Sequence, residues 1–90
     1  MENIKVEKLS KQELEKKGVF GWPVWKKKAS DFDWHYDTRE QCYFLSGRVT
    51  VVPSGGGPVR IGAGDFVTFP QGLSCTWKIS QDVEKHYNFG

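Results

Sequence analysis

The sequence predicts one small all-β domain, a barrel or sandwich, with a single short helix near its N-terminus. Three observations carry this. The chain has 90 residues, which is room for one hydrophobic core and not two. From Gly21 onward the apolar residues fall in short alternating stretches broken by Gly and Pro, the pattern of closely spaced strands. Only one segment carries helix signals, so alternating βαβ units do not fit.

Taken in order, Ser10-Lys11-Gln12-Glu13 has capping-box spacing, in which a Ser side chain and a Glu three residues on satisfy each other's backbone donors. This predicts a helix of about two turns over Lys11 to Lys17, stopped by Gly18. Glu40 to Val52 alternates, with Tyr43, Leu45, Val49 and Val51 suggesting two strands joined by a turn around Ser46-Gly47. Pro53 to Pro58 reads as a loop by composition. Val59 and Ile61 precede a tight turn at Gly62 to Asp65, and Phe66 to Phe69 is a compact strand. After a turn at Pro70-Gln71-Gly72, Cys75, Trp77 and Ile79 share one strand face, and Val83 to Phe89 forms a last strand. Residues 1–31 are expected to be a helix and arm packed on a core of residues 32–90, one domain overall.

Composition narrows the function classes. Thirteen Lys and Arg stand against 11 Asp and Glu, a net charge of +2, too close to neutral to imply a nucleic-acid partner. The run Lys26-Lys27-Lys28 is read as a solvated face. Cys42 and Cys75 cannot build a secreted disulfide framework and match no zinc-finger or redox spacing. No apolar run approaches the ~18 residues of a membrane span, and no signal-peptide core follows Met1. A reduced, cytoplasmic setting is therefore expected, with an organelle after removal of a targeting segment as the alternative.

Two motifs in order carry a family resemblance. Glu40-Gln41-Cys42-Tyr43-Phe44-Leu45-Ser46-Gly47 has a glutamate, six residues and a glycine. Gly64 to Gly72 has a glycine, five residues and Pro-x-Gly, followed by two residues and then Cys75. Over Phe32 to Phe89 the chain resembles the cupins, and within them a single-domain group related to the two halves of (S)-ureidoglycine aminohydrolase, which the tail Trp77…Glu84-Lys85-His86-Tyr87 also resembles. The resemblance implies a jelly-roll barrel.

It also implies a site inside that barrel, where metal-binding cupins hold one divalent ion with two histidines, the glutamate and a final histidine. Carried over by position, Glu40 is kept and the last ligand becomes Cys75. The first two fall on Trp34 and Tyr36 in one register, or on Asp33 and His35 in another. Strand alternation points Trp34, Tyr36, Glu40 and Cys42 the same way and so favours the first, while a bulge before Glu40 would restore the second. Three of the four expected ligands differ. A substitute set of Glu40, Cys75 and His86, with His35 as alternative, would suit one divalent transition metal such as zinc or copper.

Each candidate has a plain structural reading beside the functional one. Cys42 and Cys75 can pack as small hydrophobes or pair as a disulfide, and His86 and His35 can be hydrogen-bonded structural residues. Glu40 can pair with Arg39, Arg48 or Arg60, since a buried carboxylate needs a partner. If Trp34, Tyr36, Phe44 and Trp77 face inward, the interior is narrow, aromatic and suited to a small, flat or amphiphilic molecule. A small-molecule-binding protein is thus the first expectation. A metal-dependent enzyme of the aminohydrolase type and a non-catalytic homodimeric interaction module are the alternatives.

Overall fold

Long strands that change neighbours halfway along build this molecule. The computed structural model describes residues 3–90. In order it contains β1 (Lys5–Glu7), α1 (Lys11–Lys16), a 3-10 turn at Val19–Gly21, β2 (Val24–Lys27), β3 (Asp31–His35), β4 (Glu40–Pro53), β5 (Val59–Gly62), β6 (Phe66–Phe69) and β7 (Ser74–Phe89). All strand pairs are antiparallel. The spine is β4 against β7, paired from Glu40↔Phe89 to Pro53↔Cys75. At one end the spine is flanked by β6, then β1, on one side and by β2 on the other; at the opposite end it is flanked by β5 and β3. Bending two long strands in this way curls the sheet around one interior, the jelly-roll arrangement.

The interior follows from side-chain alternation. Cys42, Phe44, Val51, Val67 and Phe69 are fully buried in one cluster that also holds Tyr36, Cys75, Trp77 and Val83. A second, smaller core lies outside the sheet, where Leu14 of α1 and Val19 cover Phe66. The helix begins as its sequence dictates: Ser10 Oγ accepts from the Glu13 backbone N–H, and Glu13 Oε1 accepts from that of Ser10.

Three expectations change. The segment Glu40 to Val52 is not two strands joined by a turn; it is part of one 14-residue strand with register shifts between Phe44 and Val49. These bulges switch the buried face from Glu40, Cys42 and Phe44 to Val49 and Val51, which explains why the pattern looked like a break. Likewise, the strands expected around Cys75 and from Val83 are one 16-residue strand. Finally, the described part of the N-terminal arm does more than pack on the barrel, because β1 and β2 are hydrogen-bonded into the sheet.

Gly47 sits in the bulge with φ +98°, and a Cβ there would lie 2.7 Å from the Cα of Val83 on β7. Both the backbone angle and the close approach demand glycine. We predict that Gly47→Ala destabilises the fold by about 2–4 kcal/mol, combining left-handed strain with overpacking. Urea unfolding measures this, and a wild-type midpoint would contradict the close β4–β7 approach.

Candidate functional site

Alternation on the two spine strands brings opposite charges together inside the barrel. Glu40 opens β4 and shares its inward face with Cys42 and Phe44. On β7 the inward residues are Cys75, Trp77, Ile79, Val83 and Lys85. The pairing Phe44↔Lys85 sets the lysine diagonally across from Cys42. From there its Nζ donates to Glu40 Oε2 at 2.7 Å and to Cys42 Sγ at 3.1 Å. The Cys42 thiol in turn donates to the same Oε2 at 2.9 Å. Side-chain exposure is 5% for Lys85 and 4% for Glu40, so this is a buried ion pair.

A buried pair persists only if its charges are well compensated. Here the ammonium also lies 5.0 Å from the ring centroids of both Trp25 and Trp77 and 5.9 Å from that of Phe44, within cation–π range. Burial works against the charge on Lys85, but the Glu40 carboxylate and the hydrogen bonds to Glu40 and Cys42 outweigh it, and its pKa is raised. Burial pushes the Cys42 thiol far up despite the opposing Lys85 charge, and pushes the Tyr36 phenol further still, helped by Glu40. Cys42 is therefore a thiol at neutral pH and a hydrogen-bond relay between its neighbours, not a thiolate.

Beside the pair is a partly open cavity of about 180 Å³. Trp25, Phe32, Tyr36, Trp77 and Tyr87 wall it, and Glu40 and Lys85 are its charged lining residues. Trp34 and Phe89, 48% and 53% exposed, stand at its margin. The walls are braced by offset stacking of Tyr36 on Phe69 at 4.8 Å and of Phe32 on Trp77 at 5.8 Å. Deeper in, Tyr36 Oη and Trp77 Nε1 are sealed from solvent without a hydrogen-bond partner among the described residues.

The candidate residues separate into two groups. Trp34, Tyr36, Glu40 and Trp77 line the cavity, with Cys42 and Phe44 behind it around Lys85. Cys75 is buried but borders a different, shallow groove with His35 and Ser74. His86 falls on the opposite face of β7 from Lys85, where its Nδ1 is 2.9 Å from the Trp22 carbonyl and its ring meets Phe20 edge-on. His35 is also outside, 2.7 Å from Ser74 Oγ. The two cysteines are free, with no disulfide between them.

The set Glu40, Cys75 and His86 is thus not assembled, and the alternative with His35 fares no better. Among the described residues no three His, Cys, Asp or Glu side chains are placed to hold a metal ion. The donor chemistry agrees with this geometry. The one inward carboxylate already faces an ammonium, and a divalent ion at Glu40 would meet that like charge at close range. These residues do not fit a metal centre.

Lys85 is the residue that sequence reasoning missed. Its number has the parity of Cys75 and Trp77, so alternation alone placed it inward and His86 outward. The metal-ligand chemistry of histidine drew attention to the wrong neighbour. The partner of Glu40 is likewise this lysine and none of the three arginines, because Arg39 turns away to hold the Gly90 carbonyl at 2.7 Å.

Lys85→Met should cost about 3–5 kcal/mol by leaving Glu40 buried and alone, whereas the double variant Glu40→Leu/Lys85→Met should recover most of that loss. Denaturant unfolding of both proteins checks this, and equal destabilisation would contradict a compensated pair. Alkali supplies a second prediction. Burial pushes the Cys75 thiol up to about 11 while the unfolded chain ionises it near 9.0, so the fold holds the proton longer. Stability is fully present below pH ~9 and falls as pH rises toward 11, with Cys42 and Tyr36 acting in the same direction. A flat stability profile from pH 8 to 11 would contradict their burial.

Comparison with known proteins gives the family. No curated protein matches the sequence. Residues 14–87 match the model of the EutQ-like cupin domain. The fold is similar to that of a DUF861 family protein from Thermotoga maritima, with 46% identity, 98% of this chain and 100% of that one covered, and a TM-score of 0.96. A protein of unknown function from Pseudomonas syringae pv. tomato, also of the DUF861 family, is 25% identical over 74% of this chain and 29% of its own, with a TM-score of 0.67. The EutQ protein of Clostridium difficile shares the fold at 20% identity and a TM-score of 0.66, over 73% of this chain and 52% of that protein. With a family model spanning most of its length and a barrel of the expected topology, this chain belongs to the EutQ-like cupin family.

Proposed function

We propose that this cupin binds a small organic molecule in the aromatic cavity beside Glu40 and Lys85. One observation carries the reading: a cavity of about 180 Å³, walled by aromatic rings, ends on a buried and oppositely charged pair. Concave, mostly apolar sites with a few convergent polar groups are what small-molecule pockets look like. Binding fits the chemistry better than turnover. Cys42 is fully buried and held as a thiol, and Lys85 is held protonated, so neither is poised as a nucleophile.

A thermal-shift screen against small planar metabolites tests the proposal. A ligand at a hundred times its Kd adds ~2.7 kcal/mol, which in a domain of this size raises Tm by roughly 11–22 °C. The same compound should alter the Trp emission, since Trp25, Trp34 and Trp77 all border the cavity. A broad screen with no stabilising compound would overturn the reading, as would a hit that leaves the Trp emission unchanged.

A further inference from the structure

Resting on the cavity as a binding site, we infer its ligand class: a neutral, planar, single-ring molecule whose edge carries an N–H donor beside a carbonyl acceptor, as in a cyclic amide.

Size sets the ring count. The cavity of about 180 Å³ is close to the ~150 Å³ of an engineered protein cavity that holds benzene, so a single ring fills its enclosed part. Aromatic surfaces on several sides favour a flat molecule that stacks.

Charge balance sets neutrality. The carboxylate of Glu40 and the ammonium of Lys85 sum to zero, and they are the charged groups on the cavity wall. A ligand carboxylate or ammonium would enter an apolar site with no free counter-charge, and desolvation disfavours it.

Hydrogen-bond accounting sets the edge. Glu40 Oε2 receives both the Lys85 and the Cys42 hydrogen bonds, whereas Oε1 makes none among the described residues. Lys85 spends two of its three protons on Glu40 and Cys42 and keeps a third without a hydrogen-bond partner. An acceptor and a donor therefore stand next to each other on a side chain pair that is more than nine-tenths buried. A cyclic amide answers both at once, its N–H to Oε1 and its carbonyl to Nζ, where a molecule with only one such group leaves the other unpaired.

Calorimetric titration of the full chain at neutral pH with four single-ring probes tests this. 2-Pyridone should bind, 1-methyl-2-pyridone should bind at least tenfold more weakly for want of the N–H, and benzoate and benzylamine should not bind. In Glu40→Leu/Lys85→Met, shown folded by circular dichroism, the difference between the two pyridones should vanish. Equal affinity for the two pyridones in the native protein overturns the cyclic-amide edge while leaving the cavity as a binding site. Preference for either charged probe overturns neutrality. If none of the four probes binds, nor benzene as an added shape control, the edge and the cavity reading are overturned together.

Discussion

The ion pair between Glu40 and Lys85 is the constraint on which the barrel's interior is organised. Two opposite charges 2.7 Å apart in an apolar enclosure stabilise a protein only when every neighbour is arranged for them. Cys42 closes a triangle of hydrogen bonds, and the faces of Trp25, Phe44 and Trp77 surround the ammonium. The pair also fixes strand register. A slip of β7 by one residue would turn Lys85 outward, bring His86 in and leave Glu40 alone.

That dependence reaches the N-terminal arm. Trp25 comes from β2, held against β7 through the pairing Trp25↔Lys85, so the arm delivers one of the aromatic surfaces that the ammonium needs. Its neighbour segment seals His86 on the other side of the same strand. The EutQ-like cupin model correspondingly starts at residue 14, well inside the arm. Site and arm are one physical unit even though the arm lies outside the two cupin motifs.

Much of the fold was legible because it depends on local chemistry. The capping box at Ser10 and Glu13, the turn at Gly64 and the Pro70-Gln71-Gly72 turn act within a few residues of themselves, and each appears where its sequence indicates. The length of β4 was not, because its bulges exchange one alternating phase for another and a one-dimensional pattern registers that as a turn. At the site, alternation correctly grouped Trp34, Tyr36 and Glu40 on one side. The ligand set failed for a different reason. Which side chain pairs with Glu40 is decided across 45 residues of chain, and a histidine one position from the true partner carried the stronger chemical prior.

The most direct measurement is of the Lys85 side chain itself, by proton–nitrogen correlation NMR of the ammonium at neutral pH. A buried, paired ammonium should give a slowly exchanging signal with cross-relaxation to the rings of Trp25 and Trp77. It should disappear in Lys85→Met and in no other lysine variant. An ammonium exchanging as fast as those of Lys26 to Lys28, without contact to either indole, would contradict the account at its centre.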